Sequence, residues 1–178
     1  MRGQLPIFTG RHHQSEPSRT LSEDDFTVPV EDRYFEDYET GSVYEYGYYE
    51  VDEAEVIDFA KRFDPQSFHT DPEAAARTQF GGLIASGWHV GAIFMRLFAD
   101  HYLTKVASLA SPGVDEMRWS SPVRPGDRLK LRTTTVEARL SRSKPDRGLV
   151  RTKAELINQD DAVPTTLIAV NFIACRPL

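Results

Sequence analysis

The spacing of apolar residues shifts along this chain, and each shift marks an element. Val43, Tyr44, Tyr46, Tyr48, Tyr49 and Val51 form a β-branched and aromatic run that predicts a strand from Val43 to Val51. Ala54, Val56, Ile57, Ala60 and Phe63 then recur at helical spacing, and Asp52 with Glu55 three residues on has the form of an N-cap and its partner. Pro65 and Pro72 bracket the next segment. A residue before proline is disfavoured in the helical conformation, so the helix ends at Asp64. Asp71-Pro72-Glu73 reads as an N-cap followed by a first-turn proline, and Ala74-Ala75-Ala76-Arg77 carries on as a short helix that Gly81-Gly82 ends.

Ala85-Ser86-Gly87 opens the longest predicted helix, roughly Gly87 to Lys105. Its apolar residues, among them Trp88, Val90, Ala92, Ile93, Phe94, Met95 and Leu97, cover more than one stripe, which predicts burial on most sides. Strand-like segments follow at Val114–Trp119, Leu129–Ala138, Gly148–Gln159 and Thr165–Cys175. Turns at Pro122–Asp127, Ser141–Gly148 and Asn158–Asp161 separate them, and such short connections imply antiparallel pairing. The class is α+β, and one antiparallel sheet wrapped around one long helix accounts for the order of elements.

Residues 1–32 break the pattern: Pro, Ser, Glu and Arg are scattered among few apolar positions, a composition that cannot bury enough surface to order itself. They are expected to form a flexible extension that is able to drape over a partner subunit, with one domain over residues 33–178. The 178 residues include 40% hydrophobic and 27% charged positions, ordinary values for a globular domain. The net charge of −6 argues against nucleic acid as the main partner, because phosphate binding needs clustered Lys and Arg. No run approaches the roughly 18 apolar residues of a membrane span, and no secretory leader is evident. The lone cysteine, Cys175, reads as a strand residue and not a nucleophile, and it suits a reducing, cytoplasmic compartment. A single cysteine rules out a Cys-rich zinc site, and the adjacent pair His12-His13 rarely chelates without further ligands, so no metal is expected.

The candidate chemistry lies in Phe63–His69, FDPQSFH, where Asp64 and His69 stand five residues apart in a stretch that cannot be one regular helix. A carboxylate and an imidazole suit both halves of proton transfer near neutral pH, and a non-helical loop would let both face one water. The alternative is that Asp64 caps a turn and His69 is a core residue hydrogen-bonded to backbone. Gly87 opens the long helix, where unpaired N–H groups meet the positive end of the helix dipole, a place for an oxygen that gains negative charge. It is equally readable as a glycine required by tight packing. His89 and His101 on the long helix read as core histidines, and Tyr44, Tyr46, Tyr48 and Tyr49 as sheet packing. Arg142, Lys144 and Arg147 in SRSKPDRG form a basic loop that either meets the phosphates of a nucleotide tail or is a solvated turn.

At these residues the chain resembles the MaoC-like dehydratases, which include the (R)-specific enoyl-CoA hydratases of the hotdog fold. The family's Asp-x-Asn-Pro-x-His pattern, followed by x-Asp, stands here as Asp64-Pro65-Gln66-Ser67-Phe68-His69-Thr70-Asp71. Its glycine turn stands as Phe80-Gly81-Gly82-Leu83-Ile84-Ala85-Ser86-Gly87-Trp88-His89, and Arg118-Trp119, Pro122–Asp127 and Asn158-Gln159 also look like the family. The resemblance spans about residues 34–176. It implies a single hotdog domain, at least a homodimer or a higher assembly of dimers, and an acyl-CoA thioester as substrate with no other cofactor. Asp64 and His69 become the implied catalytic pair for adding water to a 2-enoyl-CoA or removing it, with the Gly87 N–H on the thioester oxygen. Gln66 stands for the family's Asn, Ser67 for its Pro, and Ser86 for the His of the well-studied hydratases, a pattern that resembles a distinct subgroup. Gln66 and Ser86 are therefore candidate substrate-binding residues beside Arg142, Lys144 and Arg147. Two rivals remain on the same fold: an acyl-CoA thioesterase, and a non-catalytic acyl-CoA-binding subunit.

Overall fold

Pro65, Pro72 and the small residues around Gly87 divide the helical half of the chain, and the strand half follows as a run of antiparallel turns. A computed structural model describes residues 20–22, 26 and 28–177. Its strands are β1 Thr20–Ser22, β2 Val43–Glu50, β3 Ser108–Trp119, β4 Arg128–Leu140, β5 Arg147–Ile157 and β6 Thr165–Ala174. They form one sheet in the order β1-β2-β4-β5-β6-β3, antiparallel except for the short parallel pair β1-β2. The helices are α1 Glu53–Phe63, α2 Ser67–Thr70, α3 Pro72–Ala76 and α4 Gly87–Leu97, the last continued by a wider π turn over Phe98–Tyr102. Among the described residues no helix is long and apolar enough to cross a membrane.

The sheet curls around α4, as the order of elements requires. Val90, Ile93, Phe94, Leu97 and Phe98 repeat at helical spacing on the buried side of α4 and pack with Leu129, Leu131, Leu156 and Leu167 of the sheet. The opposite side is open: Ala92, Met95 and Arg96 are exposed, and Trp88 retains 64% of its surface. Burial on most sides, expected from composition, is therefore limited within one chain to a single face. The helix also stops at Tyr102 and does not reach Lys105. Leu103 turns extended, and the chain is then held by Thr104, whose hydroxyl donates to the Arg33 carbonyl (2.5 Å) and whose N–H donates to Tyr38 Oη (2.9 Å).

Two further boundaries differ from the pattern. β3 begins at Ser108, ahead of the expected Val114, because an edge strand accommodates Pro112 and the left-handed Gly113 (φ 139°) at irregularities of register. The short helix after Asp71 ends at Ala76, and the turn that follows is closed by the Thr78 hydroxyl on the Ala75 carbonyl (2.7 Å), upstream of Gly81 and Gly82.

Most of residues 1–32 lie outside the described part, including His12 and His13. What is described is tied to the domain. β1 pairs with β2, and Phe26 is buried against Tyr38 and Tyr44. The Arg33 guanidinium lies over the Phe26 ring (3.3 Å to its centre) and donates to the Val28 and Tyr102 carbonyls, closing the C-terminal end of the long helix.

Beside this lies a buried aromatic group. Tyr102 Oη bonds Thr135 (2.7 Å) and Thr152 (3.1 Å), and Tyr38 Oη donates to the Tyr102 carbonyl (3.0 Å). Burial pushes the Tyr102 phenol from 10.0 up to about 12, and pushes Tyr38 and Tyr46 upward too. Their stabilising effect is complete below the unfolded value near 10 and is lost as the pH rises towards the folded values. Cooperative loss of secondary structure is expected as the pH is raised from 10 to 12, in step with the rise of phenolate absorbance. Complete phenolate formation with the circular dichroism still native would show that these rings are not sealed in the core.

Candidate active site

Helix α1 ends where Pro65 demands, so Asp64 leaves the helical conformation (φ −151°, ψ 67°) and turns its carboxylate out of the helix. The next residues do not form an open loop. Ser67–Thr70 make one helical turn, which brings His69 back towards Asp64. Asp71 then caps α3, accepting from the Glu73 and Ala74 N–H groups (2.9 and 3.0 Å). From the other side the segment before α4 is pinned by Arg124, which donates to the Phe80 carbonyl (2.6 Å), and by the Ala85 N–H on the Val123 carbonyl (2.8 Å). The start of α4 is thereby placed against the end of α1.

The result is a carboxylate–imidazole pair. His69 Nε2 lies 3.4 Å from Asp64 Oδ2, with His69 buried and the Asp64 side chain 19% exposed. His69 Nδ1 is 2.8 Å from the Ile84 carbonyl, which can only accept, so Nδ1 carries a proton and Nε2 is the nitrogen free to exchange one. Ser86 Oγ donates to Asp64 Oδ2 (2.7 Å) and Gln66 Nε2 donates to Oδ1 (2.7 Å). The Ser86 hydroxyl first, then the Gln66 amide, hold the Asp64 carboxyl below its ordinary range; partial burial opposes them and His69 adds a smaller lowering. Asp64 is therefore an acceptor-only carboxylate at neutral pH.

The pair faces a cavity of about 350 Å³, within the range of small-molecule sites. Gly87 also lines it, and Phe80, Trp88, Trp119 and Val123 are among its apolar lining. The first turn of α4 is asymmetric. Ser86 Oγ accepts the Trp88 N–H (3.2 Å), while the Gly87 N–H has no acceptor among the described residues. Gly87 is also a packing glycine, since a Cβ there would sit 2.5–2.9 Å from ring carbons of Trp119. Both readings of Gly87 thus have a basis in the structure.

Of the predicted residues, Asp64, His69 and Gly87 share this cavity, while Gln66 and Ser86 meet Asp64 and do not line the cavity wall. Arg142, Lys144 and Arg147 are elsewhere. They belong to the β4–β5 hairpin at the Leu140–Gly148 end, whereas the cavity lies at the Leu156–Thr165 end of the sheet. At about 3.3 Å per residue the length of β5 keeps the two well apart within one chain. Arg142 borders a separate groove with Arg139 and Phe172, and Arg147 is paired with Asp146 (2.8 Å). Phe80, Trp88, Trp119 and Thr165 are among the lining residues not anticipated as site residues. A tryptophan at the last position of a strand before a proline turn was the available sign of Trp119. His89 is a buried core histidine, stacked on Phe59 (4.8 Å) with Nε2 3.2 Å from Glu55.

The chain is similar to known proteins in sequence and in fold. Residues 9–157 match the family model described as MaoC like domain. The MaoC-like dehydratase from Rhodospirillum rubrum is 37% identical, with a TM-score of 0.74 over 82% of this chain and 99% of that one. An R-hydratase of Pseudomonas aeruginosa is 26% identical, with a TM-score of 0.61 over 81% of this chain and 86% of that one. The 3-hydroxyacyl-thioester dehydratase Z of Mycobacterium tuberculosis is 36% identical over 74 residues, which span 41% of this chain and 49% of that protein. The matched part is thus about half the length of that curated relative.

Proposed function

The chain belongs to the MaoC-like dehydratase family, and we propose that it adds water to, or removes it from, the double bond of a 2-enoyl-CoA thioester. The observation that carries this reading is the 3.4 Å approach of Asp64 Oδ2 and His69 Nε2 on the wall of an apolar cavity that also contains Gly87. A water bonded at about 2.8 Å to both atoms is held by an anionic acceptor and by an imidazole nitrogen able to take its proton. Its oxygen attacks the β-carbon while Nε2 takes the proton, and charge accumulates on the thioester oxygen. That oxygen is met by the Gly87 N–H at the positive end of α4. The proton on Nε2 passes to the α-carbon on the same face, so both parts of one water are added and the imidazole is restored. Dehydration is the reverse. The reaction as written needs no cofactor beyond the thioester itself.

The same reading extends to assembly as a homodimer in the cytoplasm. β3 is an edge strand, nearly all exposed, and it carries the exposed apolar residues Leu109, Val114 and Trp119. Pairing two copies along this edge satisfies its backbone groups and covers those side chains.

The test is to mix the protein with a panel of enoyl-CoA thioesters and follow loss of conjugated thioester absorbance alongside release of free thiol. Loss of conjugation without thiol is the expected result. Thiol release would identify a thioesterase, and binding with neither change a non-catalytic subunit.

A further inference from the structure

Ser86 stands out among the polar residues around the site. It is fully buried, and it caps a different helix from the one that ends at Asp64. Its hydroxyl is held at both ends. The oxygen accepts the Trp88 N–H (3.2 Å), which leaves the hydroxyl proton directed at Asp64 Oδ2, 2.7 Å away. A carboxylate oxygen has two in-plane acceptor positions. With Ser86 on one, the other is left for the side that faces His69 Nε2. The Gln66 amide on Oδ1 opposes rotation about the carboxylate axis from the far side, although Gln66 is itself exposed.

We propose that Ser86 is a positioning residue, whose hydroxyl fixes the orientation of the Asp64 carboxylate against His69 and ties it to the helix end that presents the Gly87 N–H. The proposal rests on the hydratase reading above. It makes one hydroxyl the link between the group that holds water and the group that meets the thioester oxygen, elements that come from α1 and α4 and have no covalent reason to stay in register. The depressed ionisation of Asp64, caused first by Ser86, agrees with such a hydroxyl donating to the anion.

Ser86 also caps α4, so the test must separate orientation from stability. Ser86→Ala removes both the cap and the donor; Ser86→Gly removes the donor at little cost to the cap; Ser86→Thr keeps both. The kcat, the KM and the acid limb of the pH profile are measured for each on an enoyl-CoA substrate, with Asp64→Asn as reference. The Asp64 carboxyl is titrated directly by carbon NMR in the wild type and in each variant.

Ser86→Ala and Ser86→Gly are expected to lower kcat about tenfold or more with little change in KM. Their acid limb and the Asp64 titration should move to higher pH, and Ser86→Thr should restore both. If Asp64→Asn is inactive while Ser86→Gly keeps the wild-type acid limb and the wild-type Asp64 titration, positioning by Ser86 is refuted and the hydratase reading survives. If Asp64→Asn is as active as the wild type, the hydratase site is refuted, and the NMR titration alone decides on Ser86: an upward move in Ser86→Gly supports its hold on the carboxylate, no move overturns it. A wild-type Asp64 that titrates at or above its ordinary range overturns the proposal without any variant.

Discussion

Asp64→Asn and His69→Gln are each expected to lower kcat for enoyl-CoA hydration by about 10²–10⁴-fold while the protein stays folded. Asn keeps the shape of the Asp64 side chain but presents an amide where an anion accepted from Ser86 and Gln66. One of those hydrogen bonds then has a donor facing a donor, and water loses its charged acceptor. Gln at position 69 can still meet the Ile84 carbonyl but cannot take a proton at neutral pH, so the attack on the β-carbon loses its base. The double variant should be little worse than either single one, since both groups act on the same water. Steady-state kinetics with thermal melts as the folding control provide the measurement. Rates within a few-fold of wild type in both single variants would remove these residues from the chemistry and return His69 to the role of a core histidine.

The second large effect is expected at Gly87. A methyl group there would overlap the Trp119 ring, at 2.5 Å from its nearest atom. Overpacking of this kind costs about 1–3 kcal/mol, so Gly87→Ala should fold with a lowered melting temperature. It should also lose about 10²-fold in kcat, the size of effect that follows the loss of one oxyanion donor, because the methyl occupies space through which the thioester must reach the backbone N–H. Adding Trp119→Ala should restore most of the melting temperature but not the rate. This separates the two roles of Gly87. A lowered melting temperature with an unchanged rate would make it a packing glycine only, and an unchanged melting temperature would contradict the close approach of Trp119.

How much of this was legible in the residues varied with the range of the interactions involved. Asp52 before α1 and Asp71-Pro72 before α3 are local signals, read from side chains that bond N–H groups two or three residues on, and the structure has both caps. The β4, β5 and β6 strands follow from alternation and fall within two residues of their expected bounds. The end of the long helix was not legible, because Leu103–Lys105 could continue it locally and leave it only through contacts of Thr104 with Tyr38 and Arg33, some seventy residues earlier. The helical turn Ser67–Thr70 was also missed: four residues are too few to carry a period.

The candidate site divides in the same way. The sequence by itself determined which groups are available: a carboxylate stopped by Pro65, a histidine shortly after it, a glycine at the head of an apolar helix, and a combination of motifs specific enough to point to one family. Only the tertiary structure decided what those groups do to one another. It placed Ser86, 22 residues from Asp64, as the donor to its carboxylate, set Trp119 on the face of Gly87, and left Arg142, Lys144 and Arg147 at the far end of the sheet. The reason is physical. Caps, turns and periodicity are set by interactions over a few residues and are written in their order. Hydrogen bonds and ring contacts between α1, α4 and β3 depend on how the sheet closes around the helix, which the whole core determines at once.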